Sequence, residues 1–141
     1  MGDLALGMPI EDAERVLREM PGFVPPTAGE VRNKGFAHYD SELSISLDFD
    51  SRGVVRAIEL FRPDRDVQVA FRGLLLFEES ADVVISRLSG MCRIEIEDEG
   101  LNVTAPDVFI GLWRRVTPEI SGGEDGRYFE SVLIAAPGYG A

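Results

Sequence analysis

A stretch of helical spacing followed by runs of strict alternation occurs twice along this chain, and that order restricts it to short helices laid on an antiparallel sheet. In the first copy Pro9 opens the helix, at a position whose N–H would be unpaired anyway. Ile10, Ala13, Val16, Leu17 and Met20 then recur at helical spacing, Glu11, Asp12, Glu14, Arg15 and Arg18 fill the other side, and Pro21-Gly22 stops it. Leu43, Ile45, Leu47 and Phe49 alternate with Ser44, Ser46, Asp48 and Asp50. Asp50-Ser51-Arg52-Gly53 turns the chain, and residues 54–61 return as the partner strand.

The second copy begins with a helix over 78–88, its apolar stripe made by Ala81, Val84, Ile85 and Leu88, with Ser80 as the cap if the helix starts late. Strands over 92–97, 101–105 and 108–114 follow, interrupted at Pro106, and a last apolar strand covers 128–136. Between these, 23–35 reads as a surface loop, 36–39 as a short strand, 62–66 as a charged turn and 67–71 as an edge strand. A glycine-rich loop is expected at 121–126 and a frayed tail at 137–140. Setting Leu43-Ser44-Ile45 against Leu101-Asn102-Val103, and Ala57–Leu60 against Ile110–Trp113, gives a tandem αββ pseudo-repeat with units 4–61 and 74–136. The expected fold is α+β: one domain over 1–141, an antiparallel sheet with two short helices on one face.

Bulk properties remove several function classes. With 141 residues, 45% of them hydrophobic, the chain can build a core. No apolar run approaches the roughly 20 residues that a membrane span requires. Residues 1–5 lack a basic segment followed by an apolar one, and Leu6 stands where a myristoylation motif needs Ser or Thr, so the expectation is a cytoplasmic protein. Acids outnumber bases 25 to 14, for a net charge of −11. That balance opposes nucleic acid and anionic membrane surfaces and favours a basic protein partner.

No catalytic kit stands out. Cys92 cannot form an internal disulfide and reads as a small half-buried core residue. His38, the only histidine, reads as a sheet-surface residue beside Tyr39 and Asp40. Residues 48–53 share the D-x-D-x-x-G outline of a calcium loop, but without its helices or its terminal glutamate, so they read as an acid-rich turn. Nucleotide-binding glycine motifs and G-x-S-x-G are absent, and no metal or cofactor is expected. The densest acidic run is Glu95, Glu97, Asp98 and Glu99, the first pair on one face of a strand and the second at its turn. Trp113 reads first as a core residue packed at a strand end, with anchoring of a partner as the alternative, and Arg114-Arg115 is a basic pair able to hold a carboxylate or phosphate.

The opening Leu6-Gly7-Met8-Pro9-Ile10-Glu11-Asp12-Ala13 with its following hairpin resembles the αββ modules of outer-membrane assembly lipoproteins of the BamE type. It is also similar to small cytoplasmic immunity proteins of bacterial polymorphic toxin systems. The resemblance covers the first 61 residues and, more faintly, 78–114. With the immunity type it implies a non-enzymatic protein that binds and occludes a toxin.

The sequence therefore points to an acidic protein-binding module that occludes a basic site on a partner, a toxin in the immunity reading, through Glu95, Glu97, Asp98, Glu99, Asp48, Asp50 and Trp113. Two alternatives stand beside it. One is a small hydrolase or ligand-binding enzyme using Asp48, Asp50, His38 or the Glu95–Glu97 pair in a sheet cleft. The other is a subunit of a larger assembly pairing through Trp113 and its edge strands.

Overall fold

A computed structural model describes residues 4–63, 69–117 and 126–136. The expected charged turn at 64–66, the glycine-rich loop at 121–125 and the tail at 137–140 lie outside them.

Among the described residues ten strands, two α-helices and two single 3-10 turns make an α+β fold. Helix α1 (Ile10–Glu19) has Glu11 and Asp12 in its first turn and Arg18 in its last, charges that match the helix dipole at both ends. Pro9 precedes it in an extended conformation and bridges to Val54. Ile10 N–H donates to Gly53 O at 3.0 Å and Gly7 N–H to Val55 O at 2.7 Å, so the helix start is sewn to the hairpin that follows it. Strands β1 (Phe23–Val24), β2 (Phe36–Tyr39), β3 (Ser44–Phe49) and β4 (Val55–Phe61) form an antiparallel meander.

Strands β5 (Ala70–Phe71) and β6 (Leu74–Leu75) make a separate small hairpin. Helix α2 (Ala81–Ser89) begins at the later of the two starts the sequence allowed, because the Ser80 hydroxyl accepts the Val83 N–H. Strands β7 (Glu95–Glu97), β8 (Asn102–Ala105), β9 (Ile110–Trp113) and β10 (Ser131–Ala135) form a second meander. The main sheet runs β1-β2-β3-β4-β10-β9-β8-β7, all pairs antiparallel. Its strand order is symmetric about the β4–β10 junction, which accommodates a tandem arrangement. Counting strands from each helix places β3 opposite β9, one strand away from the alignment of Leu43–Ile45 with Leu101–Val103.

One difference from expectation lies in the 23–35 segment. Its first two residues are not loop but the edge strand β1, with Phe23 opposite Tyr39 and Val24 opposite His38. Two residues carry no periodicity, so only the tertiary pairing reveals them. The rest of the segment is held by Arg32, which donates to Val24 O and to Glu30 Oε2, both at 2.8 Å.

The core follows from the register. Ala37, Ile45, Leu60, Val132, Leu112 and Val103 stand side by side across six strands, and all are buried. Ala13 and Leu17 of α1 and Ala81, Val84 and Leu88 of α2 join the same cluster, so both helices cover one face. Tyr39 joins helix to sheet: its ring is buried and its hydroxyl donates to Leu17 O at 2.8 Å.

That buried phenol links stability to alkaline pH. Burial raises the Tyr39 pKa from the ordinary 10.0 to about 12. Its contribution is complete below pH 10 and is lost as the pH rises toward 12, where the unfolded chain ionises and the folded one does not. Urea unfolding of the native chain should therefore lose roughly 2–3 kcal/mol across that interval. Tyr39→Phe should cost about 1–2 kcal/mol at neutral pH and flatten the alkaline loss; an unchanged alkaline slope would reject the assignment.

Candidate functional site

Neither α1 nor α2 lies over the opposite face of the sheet. Alternation dictates its residues, and pairing sets them in two adjacent rows. One row reads Phe36, Ser46, Glu59, Leu133, Gly111, Thr104, Glu95; the next reads His38, Ser44, Phe61, Ser131, Trp113, Asn102, Glu97. Over β4, β10, β9 and β8 this surface carries two adjoining depressions of about 460 and 370 Å³, which share Thr104, Gly111 and Leu133. Phe61, Phe109 and Trp113 stand 37%, 43% and 41% exposed around them, a degree of aromatic exposure that a monomeric surface seldom concentrates in one place.

Charge is arranged just as unevenly. Glu59 lines one end and Glu95 and Glu97 the other, and no lysine or arginine is among the lining residues of the two depressions. Arg93 approaches from the rim, reaching Glu95 Oε1 at 3.2 Å and Asp107 Oδ1 at 3.4 Å. All three side chains are more than half exposed, so solvent screens both pairs and an incoming cation can compete for Glu95.

The seven residues singled out from the sequence do not all meet. Glu95, Glu97 and Trp113 share this face, with Glu97 and Trp113 separated only by Asn102. Asp98 and Glu99 form the exposed turn beside them, both with left-handed backbone (φ 52° and 58°), and Asp98 Oδ2 accepts the Asn102 side-chain N–H at 2.6 Å. Asp48 lies on β3, five strand spacings from β7, on the order of 24 Å by sheet geometry. Its carboxylate is engaged by Arg56 across the hairpin at 2.9 Å.

Asp50 holds its own turn, accepting from the N–H groups of Arg52 at 2.8 Å and Val54 at 3.3 Å and from the Arg52 guanidinium at 3.1 Å. Desolvation pushes this carboxyl up, but those hydrogen bonds outweigh it and leave its pKa below the ordinary value. Asp48 and Asp50 are thus committed to the hairpin.

The basic pair divides. Arg114 is buried; its guanidinium donates to Gly100 O and Gly126 O, both at 2.9 Å, above the ring of Phe129. It clamps two turns rather than facing a ligand. At Gly126 (φ +83°) a Cβ would fall 1.8 Å from Val116 O, so that turn requires glycine. Elsewhere, His38 Nδ1 lies 2.8 Å from Ser44 Oγ and Nε2 3.6 Å from Glu42, at the far side of the sheet from β7. Among the described residues no three His, Cys, Asp or Glu side chains gather as metal ligands, and no helix is long and apolar enough to cross a membrane.

Phe61, Leu133, Gly111 and Glu59 went unnoticed in the sequence. Phe61 and Leu133 are apolar at outward positions of their strands, a break in alternation that a strand-by-strand reading could have caught. The face assignment makes a paired prediction. Leu112→Ala, on the covered side, should cost 2–5 kcal/mol, whereas Trp113→Ala should cost about 1 kcal/mol because the ring already meets solvent. Urea unfolding measures both, and equal costs would reject the assignment.

No protein-family model, curated protein or solved structure matches this chain.

Proposed function

We propose that the chain is an acidic protein-binding module of the immunity type, which covers a basic site on a partner toxin with the open face of its sheet. The observation that carries this reading is the pairing of exposed aromatics with carboxylates at both ends of a hollow whose lining has no lysine or arginine. Each part has a distinct task. Burial of Trp113, Phe61 and Leu133 supplies affinity, since desolvated aromatics carry most of the energy of protein interfaces. Glu95, Glu97, Asp98 and Glu99, backed by a net charge of −11, draw in a positive surface and reject negative ones. Inhibition follows from occlusion, without chemistry on either protein. A cytoplasmic location belongs to the same reading.

The product of the neighbouring gene is the first partner to test, by stopped-flow mixing and calorimetry. A stable complex is expected, with an association rate at least tenfold slower at high salt and with Trp113→Ala weakening the affinity by about 30-fold. No complex at micromolar concentrations, or one indifferent to both salt and Trp113, would overturn the proposal.

A further inference from the structure

The two depressions meet over Gly111, and the hollow exists there because a side chain is missing. Gly111 lies inside β9 with no left-handed torsion to explain it. A Cβ at this position would meet only Leu133 Cβ at 3.8 Å and Thr104 Cγ2 at 4.0 Å, ordinary contact distances. Neither backbone geometry nor crowding requires glycine, and glycine weakens a strand interior. What it provides is room for an approaching molecule.

The floor restricts what that molecule can be. Strands β4, β10, β9 and β8 are each paired on both sides, so they offer no free backbone to an incoming chain. Beyond the side chains of Thr104, Asn102 and Ser131 the lining offers an occupant few hydrogen-bond partners, so it must satisfy most of its own N–H and C=O groups. A helix does this internally; an extended peptide does not. Glu59 on β4 and Glu95 on β7 are four strand spacings apart, about 19 Å. At 1.5 Å per residue, about 13 helical residues cover that span.

We infer that the trough over Gly111 receives a cationic amphipathic helix of the partner, lying across the strands with its apolar side on Trp113 and Leu133 and lysines or arginines at its two ends facing Glu59 and the Glu95–Glu97 pair. This rests on the protein-binding reading and specifies the element of the partner that is recognised.

The probe is a fluorescein-labelled peptide of about 14 leucines and lysines, ordered to form one apolar face with lysines concentrated at its ends. A second peptide has the same composition in an order that forms no face. Fluorescence anisotropy should show the first peptide binding the native chain with a micromolar Kd and the second at least tenfold more weakly. Gly111→Leu should weaken the first peptide at least tenfold while the variant unfolds at an unchanged or higher urea concentration. Should that variant fail to fold, Trp113→Ala provides the same comparison with the hollow left open and its wall removed. Equal binding of both peptides would reduce the interaction to charge alone and overturn the inference, as would full affinity in a folded Gly111→Leu or Trp113→Ala chain. If neither peptide binds while the neighbouring gene's product still does, the helix assignment falls and the protein-binding reading stands.

Discussion

Strand β10 holds the molecule together. It pairs with β4 from Ser131 opposite Phe61 to Ala135 opposite Ala57, and with β9 from Ser131 opposite Trp113 to Ile134 opposite Ile110. Without it the sheet would be two separate meanders, each with a bare apolar edge. Val132 completes the buried row between Leu60 and Leu112. The same strand builds the other side, since Leu133 and Ser131 bring Glu59 and Phe61 beside Gly111 and Trp113. Core and candidate site therefore depend on one pairing between segments about seventy residues apart, which makes it a non-local and slow step to form.

What was legible in the sequence was local. Helix α1 announced itself through Pro9, its acidic first turn and its 3.6-residue stripe. The β3–β4 hairpin did so through clean alternation and an Asp50 turn whose carboxylate does bond its own backbone. The start of α2 was ambiguous because Glu78 and Glu79 imitate a first turn, and the Ser80 hydroxyl decides it. Strand β1 was invisible, because two residues between a helix stop and a proline-rich loop have no pattern apart from their partner.

The candidate site divides along the same line. Glu95 and Glu97 could be placed on one face by counting along their own strand, whereas Trp113 reads first as core and needs the register to bring it beside them. Asp48 and Asp50 stand out in the sequence by charge alone, and the hairpin uses that charge internally through Arg56 and Arg52. Glu59, Gly111 and Leu133 come together only because β10 inserts between β4 and β9, and nothing within any one strand signals that. The −11 charge was plain from composition, but its uneven distribution around an aromatic hollow required the register.

The acids of β7 also guard an open edge. This strand ends the sheet, and Ile96 stands 54% exposed on it, the kind of edge onto which a second copy could add itself. An antiparallel partner centred on Ile96 would bring Glu95 of one copy opposite Glu97 of the other, twice over, and like charges directly opposed oppose pairing. This border of the sheet is thus guarded against pairing with its own kind, although the adjoining face carries exposed aromatics.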